Sequence, residues 1–162
     1  MNRIEILATG PELIQRGIRG IEPVVEEIIN DAENEIQMVA YIFTSRAIHL
    51  LNLMERAAER GIKIDMIINH LESQDEAVRS KLSFLSSRFP HVKIFNFVDP
   101  EGRQLHAKII VVDRKSAVIG SANFSWGGMY ANYEIGLLLQ GEVVWKLAGI
   151  IDFFTQTHRL VR

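Results

Sequence analysis

Four polar side chains that could bind or break a phosphodiester lie close together in the sequence. His106 and Lys108 are two positions apart, and Ser121 and Asn123 follow on the next segment. A lysine, a hydroxyl and an amide all offer hydrogen-bond donors to phosphate oxygens. A histidine can attack phosphorus or transfer a proton near neutral pH. Together these residue types indicate phosphoryl-transfer chemistry.

The segments that carry these residues have the pattern of two paired strands. Residues 107–112 and 117–121 are short apolar runs with many β-branched side chains, which is typical of strands. Residues 113–116 between them, Asp-Arg-Lys-Ser, have the composition of a turn. We therefore predict a hairpin whose turn is centred on the two middle residues of that segment.

The predicted register decides which side chains meet across the hairpin. The residue numbers of facing partners add up to 229, so His106 faces Asn123 and Lys108 faces Ser121. Because side chains alternate along a strand, these four share one face, and Asp113 points to the other. Facing Cβ atoms lie about 4.5–5.5 Å apart. The four polar groups would then form one patch.

Each residue of this patch has a simpler structural interpretation when it is taken alone. A single histidine in a strand is usually a hydrogen-bonded core residue, and a lysine beside it extends its ammonium to solvent. Serine and asparagine are common in turns. Apolar strands do not collect four such groups by default, so their predicted position on one face favours a functional site.

The rest of the chain alternates between helical and strand-like segments. This order predicts an α/β fold, a layered α/β/α domain with a mixed central sheet that spans residues 1–162 as a single domain. The predicted helices cover residues 22–31, 46–60, 74–88 and 143–158, with Gly61 ending the second and Ser73 as N-cap of the third. The predicted strands outside the hairpin cover residues 35–43, 62–68, 92–98 and 135–139.

Composition sets limits on partners and compartment. Lys and Arg total 18 against 20 Asp and Glu, so the net charge of −2 predicts no strong sequence-independent binding to nucleic acid. The absence of cysteine excludes disulfides, thiolate metal sites and a cysteine nucleophile. The sequence contains no signal-peptide pattern and no apolar run long enough to span a bilayer. We expect a cytoplasmic protein that does not bind membranes.

No metal or other cofactor is predicted. The histidines outside the patch are scattered, and no group of histidines and carboxylates has the spacing of metal ligands. A surface or core role is the simpler interpretation for His49, His70, His91 and His158.

A longer pattern runs through the same region. Residues 106–123 (HAKIIVVDRKSAVIGSAN) resemble the H-x-K-x4-D-x6-G-S-x-N signature of the phospholipase D superfamily. Upstream, residues 40–68 are similar to the strand, helix and strand that precede this motif in the small bacterial Nuc-type endonucleases, including the corner Tyr41-x-Phe43-Thr44-Ser45. The resemblance covers residues 21–155 and departs from the pattern at no motif position.

The resemblance implies a reaction in two displacements. His106 attacks phosphorus to form a phosphohistidine, and a second histidine protonates the leaving oxygen before it activates water. Glu134 stands where the family has an acid hydrogen-bonded to the catalytic histidine. Asp113, on the opposite face, belongs to the turn and supports the site. The catalytic set implied by the resemblance is His106, Lys108, Ser121, Asn123, Glu134 and Asp113.

The two-histidine reaction also implies a dimer. Each reaction needs two motifs, and the 162 residues contain one. We therefore expect a homodimer whose active site lies on the twofold axis, where both subunits hold the phosphate. The candidate contact is the loop at residues 124–130, because its aromatic and methionine side chains suit a buried interface.

Three functions remain open at this point: a nuclease, a phospholipid-cleaving enzyme and a non-catalytic nucleic-acid-binding scaffold. The predicted helices have no stripe of Lys and Arg for a lipid surface. Cations and rings lie near the motif in sequence, which favours a nuclease: Arg103, Arg114, Lys115, Tyr41, Phe43, Phe124, Trp126 and Tyr130. The predicted substrate contacts are Lys108, Ser121, Asn123, Tyr41, Thr44, Ser45 and Arg103.

Overall fold

A computed structural model describes residues 2–157 together with the backbone of residues 159–161. Its strands are β1 (Arg3–Thr9), β2 (Arg19–Gly20), β3 (Glu35–Ala40), β4 (Lys63–Asn69), β5 (Val92–Phe97), β6 (Ile109–Val112), β7 (Ser116–Gly120), β8 (Glu134–Gln140) and β9 (Arg159–Val161). Its α-helices are α1 (Pro11–Gln15), α2 (Ile21–Asn30), α3 (Ile48–Glu59), α4 (Glu76–Arg88) and α5 (Val143–Thr157). Two 3-10 turns (Ser45–Ala47 and Leu71–Ser73) and a π turn (Gly127–Ala131) complete the described elements.

The strands form one mixed sheet in the order β2-β1-β8-β7-β6-β3-β4-β5-β9. β3, β4 and β5 are parallel, and their polypeptide crosses over through α3 and α4. β6, β7, β8 and β1 pair antiparallel with their neighbours in that order, and β6 also pairs antiparallel with β3. The hairpin that carries the motif therefore lies in the middle of the sheet, beside β3.

Helices cover both faces of the sheet, which confirms the predicted α/β/α layers. α2, α3 and α4 pack on one face, and α5 packs on the other. In α3 the buried side chains recur at helical spacing, for example Leu50, Met54 and Ala57, so one stripe of the helix faces the sheet. Within the described residues, no helix is both long enough and apolar enough to cross a bilayer.

Most predicted elements are confirmed within a few residues, and the differences have local causes. Gly61 ends α3 with φ 87°, as predicted for a glycine in the left-handed region. The N-cap prediction for α4 is wrong, because Ser73 belongs to a 3-10 turn and Asp75 occupies the cap. The pattern did not predict β1, α1, β2 or β9, and position 158, the predicted end of the last helix, lies outside the described residues.

The predicted register of the hairpin is wrong by one residue. Ile109 pairs with Ile119 and Val112 pairs with Ser116, so facing numbers add up to 228 rather than 229. The turn therefore has three residues, and two of them, Asp113 and Arg114, have φ values of 52° and 53°. In addition, β6 begins at Ile109, so His106 and Lys108 lie before the strand rather than on it.

Contacts with distant residues explain the three-residue turn. The Asp113 carboxylate accepts hydrogen bonds from the backbone N–H groups of Glu33, Asn34 and Glu35 at 2.9, 2.8 and 2.9 Å. The Arg114 guanidinium forms a bidentate pair with Asp152 on α5, at 2.8 and 3.0 Å. These contacts stabilise left-handed backbone at two non-glycine positions, which would otherwise be unfavourable.

Asp113 should therefore matter for stability more than for chemistry. We expect Asp113→Ala to lower the free energy of unfolding by about 2–3 kcal/mol, because three backbone donors lose a charged acceptor. Asp31→Ala is a matched control, since Asp31 is exposed at the end of α2 and no side-chain hydrogen bond of it is seen among the described residues. Urea denaturation of both variants measures the difference, and equal stabilities would contradict the assigned role.

The same contact predicts a pH dependence. Burial raises the pKa of the Asp113 carboxyl, but the three backbone N–H groups and Lys115 outweigh burial and hold the pKa below its ordinary value. The folded-state pKa is then lower than the unfolded value of about 4, so the stabilisation is complete above about pH 4 and is lost as the pH falls through the folded-state pKa. The difference between Asp113→Ala and the unchanged protein should shrink over that acidic range.

Candidate active site

His106 and Lys108 are in direct contact just before β6, beside the C-terminal end of β3. The Lys108 ammonium nitrogen (Nζ) lies 2.8 Å from His106 Nδ1 and 3.1 Å from Nε2, and it donates to the His106 carbonyl oxygen at 2.7 Å. The imidazole is exposed, whereas only 6% of the Lys108 residue surface is exposed. The predicted pairing of a reactive ring with a cation is therefore present, although the two residues lie outside a strand.

The surroundings of Lys108 shift the pKa of its ammonium group. Burial lowers the pKa of the Lys108 ammonium below its ordinary value, and the nearby Glu134 carboxylate offsets part of this shift. The Tyr41 ring lies 4.9 Å from the Lys108 ammonium nitrogen, and its centroid lies 4.3 Å from that of the His106 ring. A cation over an aromatic face is stabilised by the ring quadrupole. Tyr41, predicted to contact substrate, is thus part of the same cluster.

Ser121 and Glu134 form the second half of the cluster. The Ser121 hydroxyl donates a short hydrogen bond to the Glu134 carboxylate and accepts one from the Ile135 N–H at 3.2 Å. Asn132 donates to the other Glu134 oxygen at 3.1 Å. Within the described part of the chain, the Glu134 side chain forms hydrogen bonds with Ser121 and Asn132 and none with His106. The acid therefore binds the Ser121 hydroxyl and affects the Lys108 ammonium through its charge.

Two segments that follow strands pair beside this cluster. Thr44 N–H donates to the Phe124 carbonyl at 2.9 Å, and Phe124 N–H donates to the Ile42 carbonyl at 3.2 Å. This pairing joins the segment after β3 to the segment after β7. It explains why Tyr41, more than sixty positions earlier in the chain, lies against His106.

Asn123 sits inside this paired region with an unusual environment. Its amide oxygen is buried and has no hydrogen-bond partner within the described residues. Gly128 approaches the Asn123 backbone so closely that an added Cβ would lie 2.1 Å from the Asn123 carbonyl oxygen. Only glycine fits at that position. In the observed register Gly120 N–H donates to the Lys108 carbonyl at 3.4 Å, so Gly120 rather than Ser121 faces Lys108 and the predicted facing pair is not formed.

Several predicted site residues lie elsewhere. Asp113, Arg114 and Lys115 occupy the turn at the other end of β6, and the four residues of that strand alone span roughly 13 Å. The Asp113 carboxylate holds the loop before β3, which agrees with the turn and supporting role expected for this residue. Arg114 and Lys115 pair with acids, so neither extends toward His106.

Three residues predicted to contact substrate, Thr44, Ser45 and Arg103, differ in how available they are to a ligand. Thr44 lines a cleft beside Tyr41, whereas Ser45 is exposed and its N–H donates to the Asp75 carboxylate at 2.7 Å. The Arg103 guanidinium lies 3.1 Å from Asp99 and 3.4 Å from Glu101. These acids offset its positive charge, which weakens the expectation that it attracts phosphate.

The aromatic residues of the motif region separate into core and surface. Phe43 and Phe124 are buried and stack on each other with centroids 5.5 Å apart, so these two rings belong to the core and are not available to stack on bases. Met129 is also buried. The loop at residues 124–130 therefore caps its own domain through these side chains, and only Trp126 and Tyr130 remain exposed as a stacked pair.

Two carboxylates and a histidine come within metal-ligand distance of one another in the folded chain. Glu22 and Glu26 on α2 and His49 on α3 place one ligand atom each within 4.8 Å of one another. His49 Nε2 lies 3.0 Å from a Glu22 carboxylate oxygen, and the Tyr130 hydroxyl donates to the same oxygen at 2.7 Å. The tertiary structure brings these residues together from separate helices, which is why sequence spacing did not indicate them.

Comparison with protein families gives a match over most of the chain. Residues 25–152 match the family described as "Cardiolipin synthase, PLD-like domain". The DISARM protein DrmC of Bacillus paralicheniformis is 29% identical over 153 residues, which cover 91% of this chain and 61% of that protein. Cardiolipin synthase A of Erwinia tasmaniensis is 27% identical over 160 residues, covering 98% and 32%. The chain thus spans less than two thirds of these relatives.

Solved structures share the fold at low sequence identity. Nuc from Salmonella typhimurium, described as a phospholipase D family member, has a TM-score of 0.80 and 18% identity over 100% of this chain and 99% of its own. NucT from Helicobacter pylori has a TM-score of 0.76 and 20% identity over 98% of both chains. The phosphatidylserine synthase of Haemophilus influenzae has a TM-score of 0.69 and 16% identity over 99% of this chain and 40% of its own.

Proposed function

The chain belongs to the phospholipase D superfamily, with a PLD-like domain over residues 25–152, and we propose that it is a nuclease that acts through a covalent phosphohistidine. The observation that carries this proposal is the Lys108 ammonium nitrogen, 2.8 Å from a ring nitrogen of the exposed His106. A neutral imidazole has one ring nitrogen with a free lone pair, and this electron pair can attack phosphorus. The contact thus holds a nucleophile and a phosphate-binding cation together.

The reaction proceeds in two displacements at phosphorus. A ring nitrogen of His106 forms a bond to phosphorus, and the bond from phosphorus to the leaving oxygen breaks as the His106 of a second copy of the chain protonates that oxygen. Water then attacks phosphorus and gives its proton to the second histidine, the bond between phosphorus and the His106 nitrogen breaks, and the phosphomonoester is released. Lys108, Ser121 and Asn123 stabilise the charge that develops on the phosphoryl oxygens.

The second copy supplies the second histidine, and one surface suits its docking. Strand pairing places the side chains of Ile4, Ile6 and Ile135 on the sheet face that α5 covers only in part. Three α5 side chains, Trp145, Ile150 and Phe153, are also exposed, and all six have exposed fractions of 54% to 64%. Large apolar side chains that are exposed on one side of a domain are typical of a protein interface. We call these six residues the α5-side surface.

Ile135 is the residue of the α5-side surface that adjoins the site, and its position supports dimerisation at that end of β8. Ile135 exchanges hydrogen bonds with Ser121, whose N–H donates to the Ile135 carbonyl at 3.1 Å. Ile135 also directly follows Glu134 in β8. A second copy that packs around Ile135 would approach the cluster at the end of β8 where Glu134 lies, as a site on a twofold axis requires. This surface replaces the loop at residues 124–130 as our proposed contact.

Two substrate classes remain for a phosphodiesterase with this site. The names of some relatives, such as cardiolipin synthase A, favour a phospholipid. The cleft beside Tyr41, however, is lined by polar side chains that include Asn69, His70 and Gln104. An acyl chain gains little from such walls, whereas a nucleotide can form hydrogen bonds with them. The polarity of this cleft supports nucleic acid as the substrate.

Turnover of labelled single-stranded DNA, RNA and phosphatidylglycerol vesicles in excess EDTA tests this proposal. We expect cleavage of at least one nucleic acid, because the proposed charge stabilisation comes from Lys108 and neutral donors. Vesicles should remain intact. Cleavage restricted to the phospholipid would refute the nuclease, and loss of all cleavage in EDTA with rescue by magnesium or manganese would refute the metal-independent mechanism.

A further inference from the structure

A polar cleft of about 340 Å³ opens directly beside the catalytic cluster. Tyr41 belongs to both, because its ring lies against His106 and also lines the cleft. The other walls come from the segment after β3, the end of β4 and the loop before His106, and they include Thr44, His70 and Gln104. The volume falls at the lower end of the range for small-molecule sites, roughly 300–1,000 Å³.

Two amides hold the walls of this cleft in fixed positions. Gln74, which is 8% exposed, accepts from Phe43 N–H at 2.8 Å and donates to the Asn69 carbonyl at 2.7 Å. Asn69 accepts from Leu105 N–H at 2.9 Å and donates to the Gln104 side-chain oxygen at 2.9 Å. Hydrogen bonds therefore connect one wall of the cleft to the loop that carries His106. The position of the cleft relative to the nucleophile is thus fixed before a ligand binds.

His70 stands in this cleft with a strained backbone. Its φ and ψ are 46° and 70°, in the left-handed region that non-glycine residues rarely adopt. Its ring Nδ1 lies 3.2 Å from Glu72, and its Nε2 lies 3.4 Å from the Gln104 side-chain nitrogen. Strain of this kind is often retained where a side chain must have a particular direction. The imidazole and the Gln104 amide thus lie side by side at one wall.

The charges around the cleft disfavour a phosphate within it. Asp75 lines the cleft, and Glu72 contacts His70, so two carboxylates surround the pair of polar side chains. A neutral planar ligand with donors and acceptors on its edge avoids this repulsion and matches an imidazole and an amide. The aromatic ring of Tyr41 gives such a ligand a stacking partner beside the reacting phosphate.

We propose that this cleft binds the nucleobase of the nucleotide next to the scissile phosphate, with His70 and Gln104 contacting the edge of the base. This inference rests on the proposed nuclease function and adds a base-binding subsite to it. His70 and Gln104 are binding residues, separate from the groups that act on phosphorus. The subsite orients the nucleotide so that its phosphate lies at His106.

Chromogenic p-nitrophenyl esters of nucleoside 5′-phosphates, compared with the p-nitrophenyl ester of baseless deoxyribose 5-phosphate, test the subsite. We expect the unchanged protein to prefer the best nucleotide ester over the baseless ester by roughly tenfold to a hundredfold in kcat/KM. Gln104→Ala and His70→Asn should each reduce this preference by about tenfold, mainly through KM. Gln15→Ala is the matched control, because Gln15 is exposed on α1, and it should retain the preference.

His70→Gly separates contact from backbone strain. Glycine adopts the left-handed region freely, so this variant keeps the turn and removes only the imidazole. It should lose the preference as His70→Asn does. A preference retained in all three variants would overturn the subsite while leaving the nuclease proposal intact. If the unchanged protein cleaves neither the nucleotide esters nor nucleic acid but cleaves phospholipid, the nuclease proposal itself fails, and the base subsite fails with it.

Discussion

Replacing His106 with alanine should abolish turnover and leave the fold intact. The expected loss in kcat/KM is on the order of 10⁴-fold, because no other side chain in the cluster can form the bond to phosphorus. The imidazole is exposed, so the free energy of unfolding should change by less than about 0.5 kcal/mol. Lys108→Met and Asn123→Ala should also lose most activity. Cleavage assays and thermal melting of each purified variant provide the measurement.

His91→Ala serves as the control for the loss of an imidazole. His91 lies at the start of β5 and contacts the Ala58 carbonyl at 2.9 Å, at the end of α3 and outside the cluster. Its activity should match that of the unchanged protein. Near-native turnover in His106→Ala, with an unaltered melting curve, would make His106 a structural residue and remove the nucleophile from the mechanism.

A variant in which the α5-side surface is disrupted should lose both its dimeric state and its activity. We expect Phe153→Glu to convert a dimer to a monomer, because a buried carboxylate at the interface lacks a partner. Activity should fall at least a hundredfold, since the second histidine leaves with the second subunit. Phe84→Glu is a matched control on α4, on the opposite side of the sheet, where Phe84 is 43% exposed compared with 60% for Phe153. Light scattering and cleavage assays on both variants test this.

Mixing the subunits tests whether the site is shared. If each site needs two intact His106 side chains, an equal mixture of unchanged and His106→Ala chains, allowed to exchange, should retain about a quarter of full activity. If the chains act independently, the mixture should instead retain about half of full activity. A fully active monomer would refute the shared site. A dimer whose Phe153→Glu variant remains associated would instead place the interface on another surface.

The sequence alone determined most of the helices and strands and the pair of His106 and Lys108, because these depend on local physics. The apolar spacing of α3 and the left-handed position of Gly61 follow from periodicity and from the steric freedom of glycine, and both are confirmed. The order of strands and helices predicted the α/β/α layers in the same way. The motif spacing brought His106 and Lys108 into contact even though neither lies on a strand.

Only the tertiary structure decided how these parts meet. The register of the hairpin depends on hydrogen bonds that the Asp113 carboxylate accepts from the backbone of residues 33–35, about eighty positions away, and no local pattern encodes them. Likewise, the contact of Tyr41 with His106 requires β3 to lie beside β6, which follows from the sheet order rather than from spacing. Periodicity reports which side of an element is apolar, whereas contacts between distant segments depend on which elements become neighbours in the folded chain.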